Sequence, residues 1–317
     1  MSFDIVAHKK WWFTLSSVLV VLSVISIFIN GFNFGIDYTG GTILDLQFKQ
    51  PVTVAQVREV IDDSNMNLEN SVIQLSGVTD QESSQEVMIR MRNLESDESK
   101  AISDQLNEKL GGAEVKRIES VGAVIGSEVT KNAVTSLAVA FIALAAYISF
   151  RFEYKIAISA IVSILHDLIM VLGFFSFFQL EIDASFLAAI LTVVGYSMNE
   201  AVVIFDRVRE NTRTHRRTDT YEKLAHDSIS QSIHRSIYTL TTVLFACGAL
   251  HFFGGESTKN FSLVMLIGFI SGAYSSICVD TSLWVVWKNY TAKKHGSKRV
   301  AREETEPKEK TESTEEN

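Results

Sequence analysis

Six long apolar runs dominate the chain, at Trp11–Ile29, Ala133–Phe150, Ile156–Phe178, Ala184–Phe205, Ile237–Phe253 and Phe261–Trp287. A helix needs about 20 such residues to cross ~30 Å of hydrocarbon, and each run approaches or exceeds that length. The pattern predicts an α-helical polytopic membrane protein with six transmembrane helices. The first run follows His8, Lys9 and Lys10, as a signal peptide would, but it is long and ends in Ile29-Asn30-Gly31-Phe32 rather than in the small residues of a cleavage site. It reads as a retained first helix.

Between the first and second runs the pattern changes to alternating and amphipathic segments. Strand-like Ile43–Phe48, helix-like Val54–Ser64, strand-like Val72–Leu75 and Val87–Met91, helix-like Ser99–Leu110 and strand-like Val115–Ile118 follow in turn. That β-α-β-β-α-β order predicts a small ferredoxin-like α+β domain, with two helices covering one face of an antiparallel sheet. The expected organisation is therefore 1–30 for the N-terminus and first helix, 31–130 for the α+β domain, 131–288 for the remaining five helices and 289–317 for a tail. From Lys293 onward the tail has almost no apolar residues, a composition that cannot offset chain entropy. It is expected to be disordered, with a basic beginning suited to anionic membrane lipids.

Lysine and arginine near helix ends hold those ends in the cytoplasm. His8–Lys10, Arg151 and Lys155, the loop from Arg207 to Arg217 and the segment from Lys288 to Arg299 all fall on one side, which is then cytoplasmic together with both termini. The segment 31–130 lies on the other side. The net charge of −8 comes from acidic residues in that segment and in the tail, so it describes two water-exposed pieces and gives no reason to expect a nucleic-acid partner. Cys247 and Cys278 lie inside apolar runs and read as small packing residues. No metal or cofactor motif is visible. The α+β domain has no paired His, Cys or Ser triad, which suits a binding or moving part better than an enzyme.

Ionisable groups inside a membrane are costly and tend to mark ion or proton paths. Asp167, beside His166, sits 11 residues into the third run, near the bilayer centre. Glu200, after Asn199, precedes the end of the fourth span at Asp206-Arg207 by about two helical turns. Arg235 enters the fifth span from the same side, so a charge-assisted pair with Glu200 is geometrically possible. A static structural pair and a proton-exchanging pair both fit. His166 suits a proton carrier and a satisfied interfacial histidine equally well. Asp280, in the last span, reads as a group hydrogen-bonded within the bundle. Ser197, Ser236, Ser271, Ser275 and Ser276 belong to a set of small and hydroxylated residues that let helices approach closely.

Several strings together resemble one family, SecF. Phe34-Gly35-Ile36-Asp37-Tyr38-Thr39-Gly40-Gly41-Thr42 resembles its F-G-[IL]-D-[FY]-T-G-G-T hallmark. Val121-Gly122-Ala123-Val124-Ile125-Gly126 resembles V-G-P-x-V-G, with Ala123 in place of proline. Val194-Gly195-Tyr196-Ser197-Met198-Asn199-Glu200, followed by the loop string Phe205-Asp206-Arg207-Val208-Arg209-Glu210-Asn211, resembles V-G-Y-S-[LI]-N-D…D-R-I-R-E-N, with glutamate for the usual aspartate. His234-Arg235-Ser236 with Thr239, Thr241 and Thr242 resembles H-R-T-x-x-T-S-x-T-T.

The resemblance covers all but the tail. It implies a non-enzymatic half of the RND superfamily in the bacterial inner membrane, with a periplasmic ferredoxin-like domain. Its partners would be SecD, the SecYEG channel, YajC, YidC and translocating polypeptides. With SecD it would couple the proton motive force to polypeptide export, with Glu200, Arg235, Asp167, His166 and Asn199 as the proton-coupling candidates. An RND-like exporter of small molecules or lipids and a non-coupling scaffold are the alternatives. The first needs a large apolar cleft, for which a charged domain of this size has little room.

Overall fold

The computed structural model describes residues 4–305 except 65, 67, 70, 77–82 and 215–218. Two compact units emerge: residues 30–140 with 178–188, and residues 1–29 with 141–177 and 189–317.

Six helices among the described residues are long and apolar enough to cross a membrane: Lys9–Asn30, Ala123–Arg151, Tyr154–Phe177, Ala184–Thr212, Tyr221–Phe253 and Thr258–Lys293. In chain order they belong to α1 (Lys9–Asn30), α5 (Ala123–Arg151), α6 (Tyr154–Phe177), α7 (Ala184–Thr212), α8 (Tyr221–Phe253) and a last continuous rod. That rod is α9 (Glu256–Tyr274), a π-helical turn Ser275–Asp280 and α10 (Thr281–Thr305). Several helices outrun their apolar cores. α8 begins sixteen residues before Ile237, held at its start by the Thr220 hydroxyl, which accepts from the Lys223 amide at 3.2 Å. α7 continues through Asp206, Arg207 and Arg209, which the sequence had placed partly in a loop. α10 continues to Thr305; Lys, Ala, Arg and Glu are all strong helix formers. Residues 306–317 lie outside the described residues.

The first unit holds a four-stranded sheet. After β1 (Asn33–Phe34) and the turn α2 (Ile36–Thr39) come β2 (Gly41–Thr53), α3 (Val54–Asp62), β3 (Val72–Ser76), β4 (Ser83–Met91), α4 (Ser96–Lys109) and β5 (Ala113–Val121). The strand order is β3-β4-β2-β5 with every neighbour antiparallel, the ferredoxin-like arrangement. Leu44, Leu46 and Phe48 alternate along β2 and face Val57, Val60 and Ile61 of α3 and Ile102 and Leu106 of α4 across a buried core. Each helix opens on a reciprocal capping box, Thr53 with Gln56 and Glu95 with Glu98. Gly40 and Gly41 take φ of +70° and +134°, which lets the chain turn from α2 straight into β2. A two-residue parallel ladder joins β1 to β6 (Glu181–Ile182).

Candidate functional site

Among the described residues, the helical unit buries three carboxyls. Asp167 of α6 is 1% exposed and gathers hydroxyls from three other segments. Ser197 Oγ of α7 donates at 2.6 Å, Ser271 Oγ of α9 at 2.7 Å and Ser275 Oγ of the π turn at 2.8 Å. Ser271 and Ser275 are four residues apart and therefore share a helix face. His166 Nδ1 lies 3.0 Å from Asp167 Oδ1, while its Nε2 has no partner. The sequence singled out Asp167 and His166, but the three serines looked like ordinary packing residues.

Asp280 is fully buried, and neither carboxyl oxygen has a hydrogen-bond partner. The expectation that it is hydrogen-bonded within the bundle is therefore wrong. Ser271 and Ser275, on the same rod, donate to Asp167 instead.

Glu200 of α7 is 2% exposed, and its Oε2 lacks a partner. The Tyr196 hydroxyl, one turn earlier, and the Ser236 hydroxyl of α8 both approach it. Neither closes a well-formed hydrogen bond, so both hydroxyls remain unpartnered. Arg235 of α8 is exposed and lies within electrostatic reach of Glu200. Among the described residues, it has no carboxylate within ion-pair distance. Asn199 is likewise on the exposed side of α7. Tyr196 and Ser236 were not singled out as site residues, since an unpartnered hydroxyl is visible only in three dimensions. No cluster of three His, Cys, Asp or Glu able to hold a metal ion occurs among the described residues.

The glycine-rich hallmark serves the other unit. The Gly35 amide donates to the Ile182 carbonyl at 2.8 Å, and Asp37 Oδ2 accepts from the Ala184 amide at 2.8 Å. The Thr39 hydroxyl donates to the Gly35 carbonyl at 3.1 Å. A Cβ on Gly126 would meet the Tyr38 carbonyl oxygen at 2.9 Å, so this segment of α5 packs closely on the hallmark turn, whereas Gly122 faces open space. Arg90 of β4 lies 3.0 Å from Glu181, whose carboxyl burial pushes above its usual range, with Arg90 pulling the other way. At the far end of α7, Asp206 lies 3.3 Å from Arg151, and Arg207 pairs with Glu210 at 2.8 Å. Arg209 lines an open cleft of about 370 Å³ with Arg151, Asp206, Glu210 and Arg213.

Comparison with known proteins places the chain. Residues 101–290 match the family described as protein export membrane protein SecD/SecF, C-terminal, and residues 25–52 match the SecD/SecF GG motif. The chain belongs to the SecD/SecF family. A protein translocase subunit SecF from Acidaminococcus fermentans is 46% identical over 288 residues, covering 90% of this chain and 97% of that one. A protein translocase subunit SecDF from Bacillus subtilis is 35% identical, covering 92% of this chain but 39% of its own length. The crystal structure of SecDF, a translocon-associated membrane protein from Thermus thermophilus, superposes with a TM-score of 0.81 at 31% identity. It covers 90% of this chain, and this chain spans 39% of it. Family membership and six apolar helices make the chain a multi-pass membrane protein and support a role in protein export.

Proposed function

We propose that the chain is a non-enzymatic subunit of a protein translocase that couples a proton gradient to the movement of polypeptides across the bacterial inner membrane. Its partner is a SecD-type half, in keeping with the SecDF relatives, of which this chain spans 39%. The observation that carries the coupling is Glu200, a carboxyl 2% exposed with an unpartnered oxygen and, among the described residues, no cation in contact. An isolated buried charge is expensive, and a buried acid meets that expense by exchanging a proton.

Arg235 sits near enough to bias that exchange while its side chain remains exposed. Only 11% of the span in α8 is buried, and 6% of the span in α5, so both helices present faces to lipid or to a partner half. Arg235 and Asn199 lie among residues left uncovered in this chain, where an acid or hydroxyl of the partner would meet them. The α+β domain projects into the periplasm in this reading, and both termini are cytoplasmic.

The test is export in inverted vesicles that contain the channel, the partner half and this chain. An imposed proton gradient should accelerate export, and vesicles lacking this chain should lose the acceleration. Equal acceleration without it would remove the coupling role and leave a scaffold.

A further inference from the structure

Glu200 is not the only buried carboxyl with an unpartnered oxygen. Asp280 ends the π turn, and that turn decides which way it faces. In an α-helix two residues five apart point about 140° away from each other; a π turn is wider and holds more residues per turn, so it swings the later residue back toward the earlier one. Asp280 is five residues after Ser275, so the turn swings it toward the face that Ser275 directs at Asp167. α6 packs along this turn, and Asp167 lies within electrostatic reach of Asp280.

The register follows from the serine contacts. α6 runs antiparallel to this rod, so Asp280 lies about one helical turn beyond Ser275. That depth is the turn of α6 carrying Ser163, with Ser159 one turn further. Both serine hydroxyls are buried, at 1% and 0% exposure, and both lack a partner.

We propose that Asp280 and Asp167 form a second proton-binding site, separate from Glu200, with the proton held on Asp280. The inference deepens the reading of a proton-coupled subunit and rests on it. A carboxylate only accepts hydrogen bonds, whereas a neutral carboxyl both donates and accepts. Asp167 is already supplied with three donors. Asp280 has none, and as a neutral carboxyl it can donate through water to the stranded Ser163 and Ser159 hydroxyls.

The other titratable groups around it leave that assignment standing. His166, Tyr274 and Cys278 are the remaining ones on α6, α9 and the π turn near this depth. Lys155 lies at the start of α6, twelve residues from Asp167, and Lys288 of α10 is 2.7 Å from Glu153. Among the described residues, no cation bonds Asp280.

Infrared spectroscopy of the full chain in lipid, with aspartate carrying a ¹³C carboxyl, reads this directly. At neutral pH a protonated-carboxyl stretch should be present, shift with the label, vanish in Asp280→Asn and persist in Glu200→Gln. Absence of any label-sensitive carboxyl stretch in the wild type overturns the proposal, and this arm decides the matter even if Asp280→Asn does not fold. A stretch that survives Asp280→Asn, or one abolished by adding sodium in place of potassium, also overturns it, the latter in favour of a cation site. The spectrum is independent of export. Loss of this site would leave the Glu200 role standing, and failure of gradient coupling would leave the stretch in place.

Discussion

Replacing Asp167 with alanine removes one acceptor from three buried hydroxyls at once. Ser197, Ser271 and Ser275 reach it from α7, α9 and the π turn at 2.6 to 2.8 Å, and each is less than a tenth exposed, so water does not replace the lost acceptor. Hydrogen bonds between membrane helices contribute ~0.6 kcal/mol each on average and reach ~1.7. Three of them set the expected loss at about 2 kcal/mol, with a ceiling of about 5 kcal/mol. Asp167→Asn keeps the shape and one acceptor oxygen and should lose about half as much.

The assay is reversible unfolding of the full chain in bicelles, with the double mutants as the internal check. Once Asp167 is alanine, Ser197→Ala or Ser271→Ala should cost almost nothing further, because their shared partner is gone. Stability of Asp167→Ala within about 0.5 kcal/mol of wild type, or fully additive serine losses, would refute the hub.

Further outcomes follow from other residues. In Gly41→Val the new Cβ would lie 2.6 Å from the Met91 carbonyl oxygen at φ +134°, so hydrogen exchange should show loss of the β2–β4 ladder at Thr42 and Met91; wild-type protection there would contradict the backbone role. Burial, opposed by Arg90, raises the Glu181 carboxyl, so its contribution to the β1–β6 clasp is present below the ordinary carboxylate range and is lost as pH rises through the raised value. Exchange of the Gly35 amide, corrected for its intrinsic rate, should show this weakening in wild type and not in Glu181→Gln. A cysteine at exposed Gln85 should react with an impermeant reagent from the periplasmic side; labelling from the cytoplasmic side alone would reverse the topology.

Hydropathy period carried most of the architecture. Each apolar run lies within a helix or passes its end by one residue, and every strand and helix of the α+β domain appears in order, because period-2 and period-3.6 patterns report local burial. The ends were less legible. α8 starts sixteen residues before Ile237 because amphipathic, capped helix continues past hydrocarbon length. The site was legible in its acids and not in its partners: Asp167 is 30, 104 and 108 residues away in the chain from the serines that hold it. The π turn that aims Asp280 has no signature in Ser275-Ser276-Ile277-Cys278-Val279-Asp280. Arg235 was expected to be able to reach Glu200, and the structure leaves it exposed, since similar depth on two helices does not fix the rotation of either.

The coupling role rests on Glu200. Export in inverted vesicles with an imposed proton gradient, comparing wild type with Glu200→Gln at confirmed equal assembly, tests it most directly. Glutamine keeps the size of the side chain and removes the exchangeable proton, so gradient stimulation should disappear while gradient-independent export continues, and Glu200→Asp should retain much of the stimulation. Full stimulation in Glu200→Gln would contradict the account.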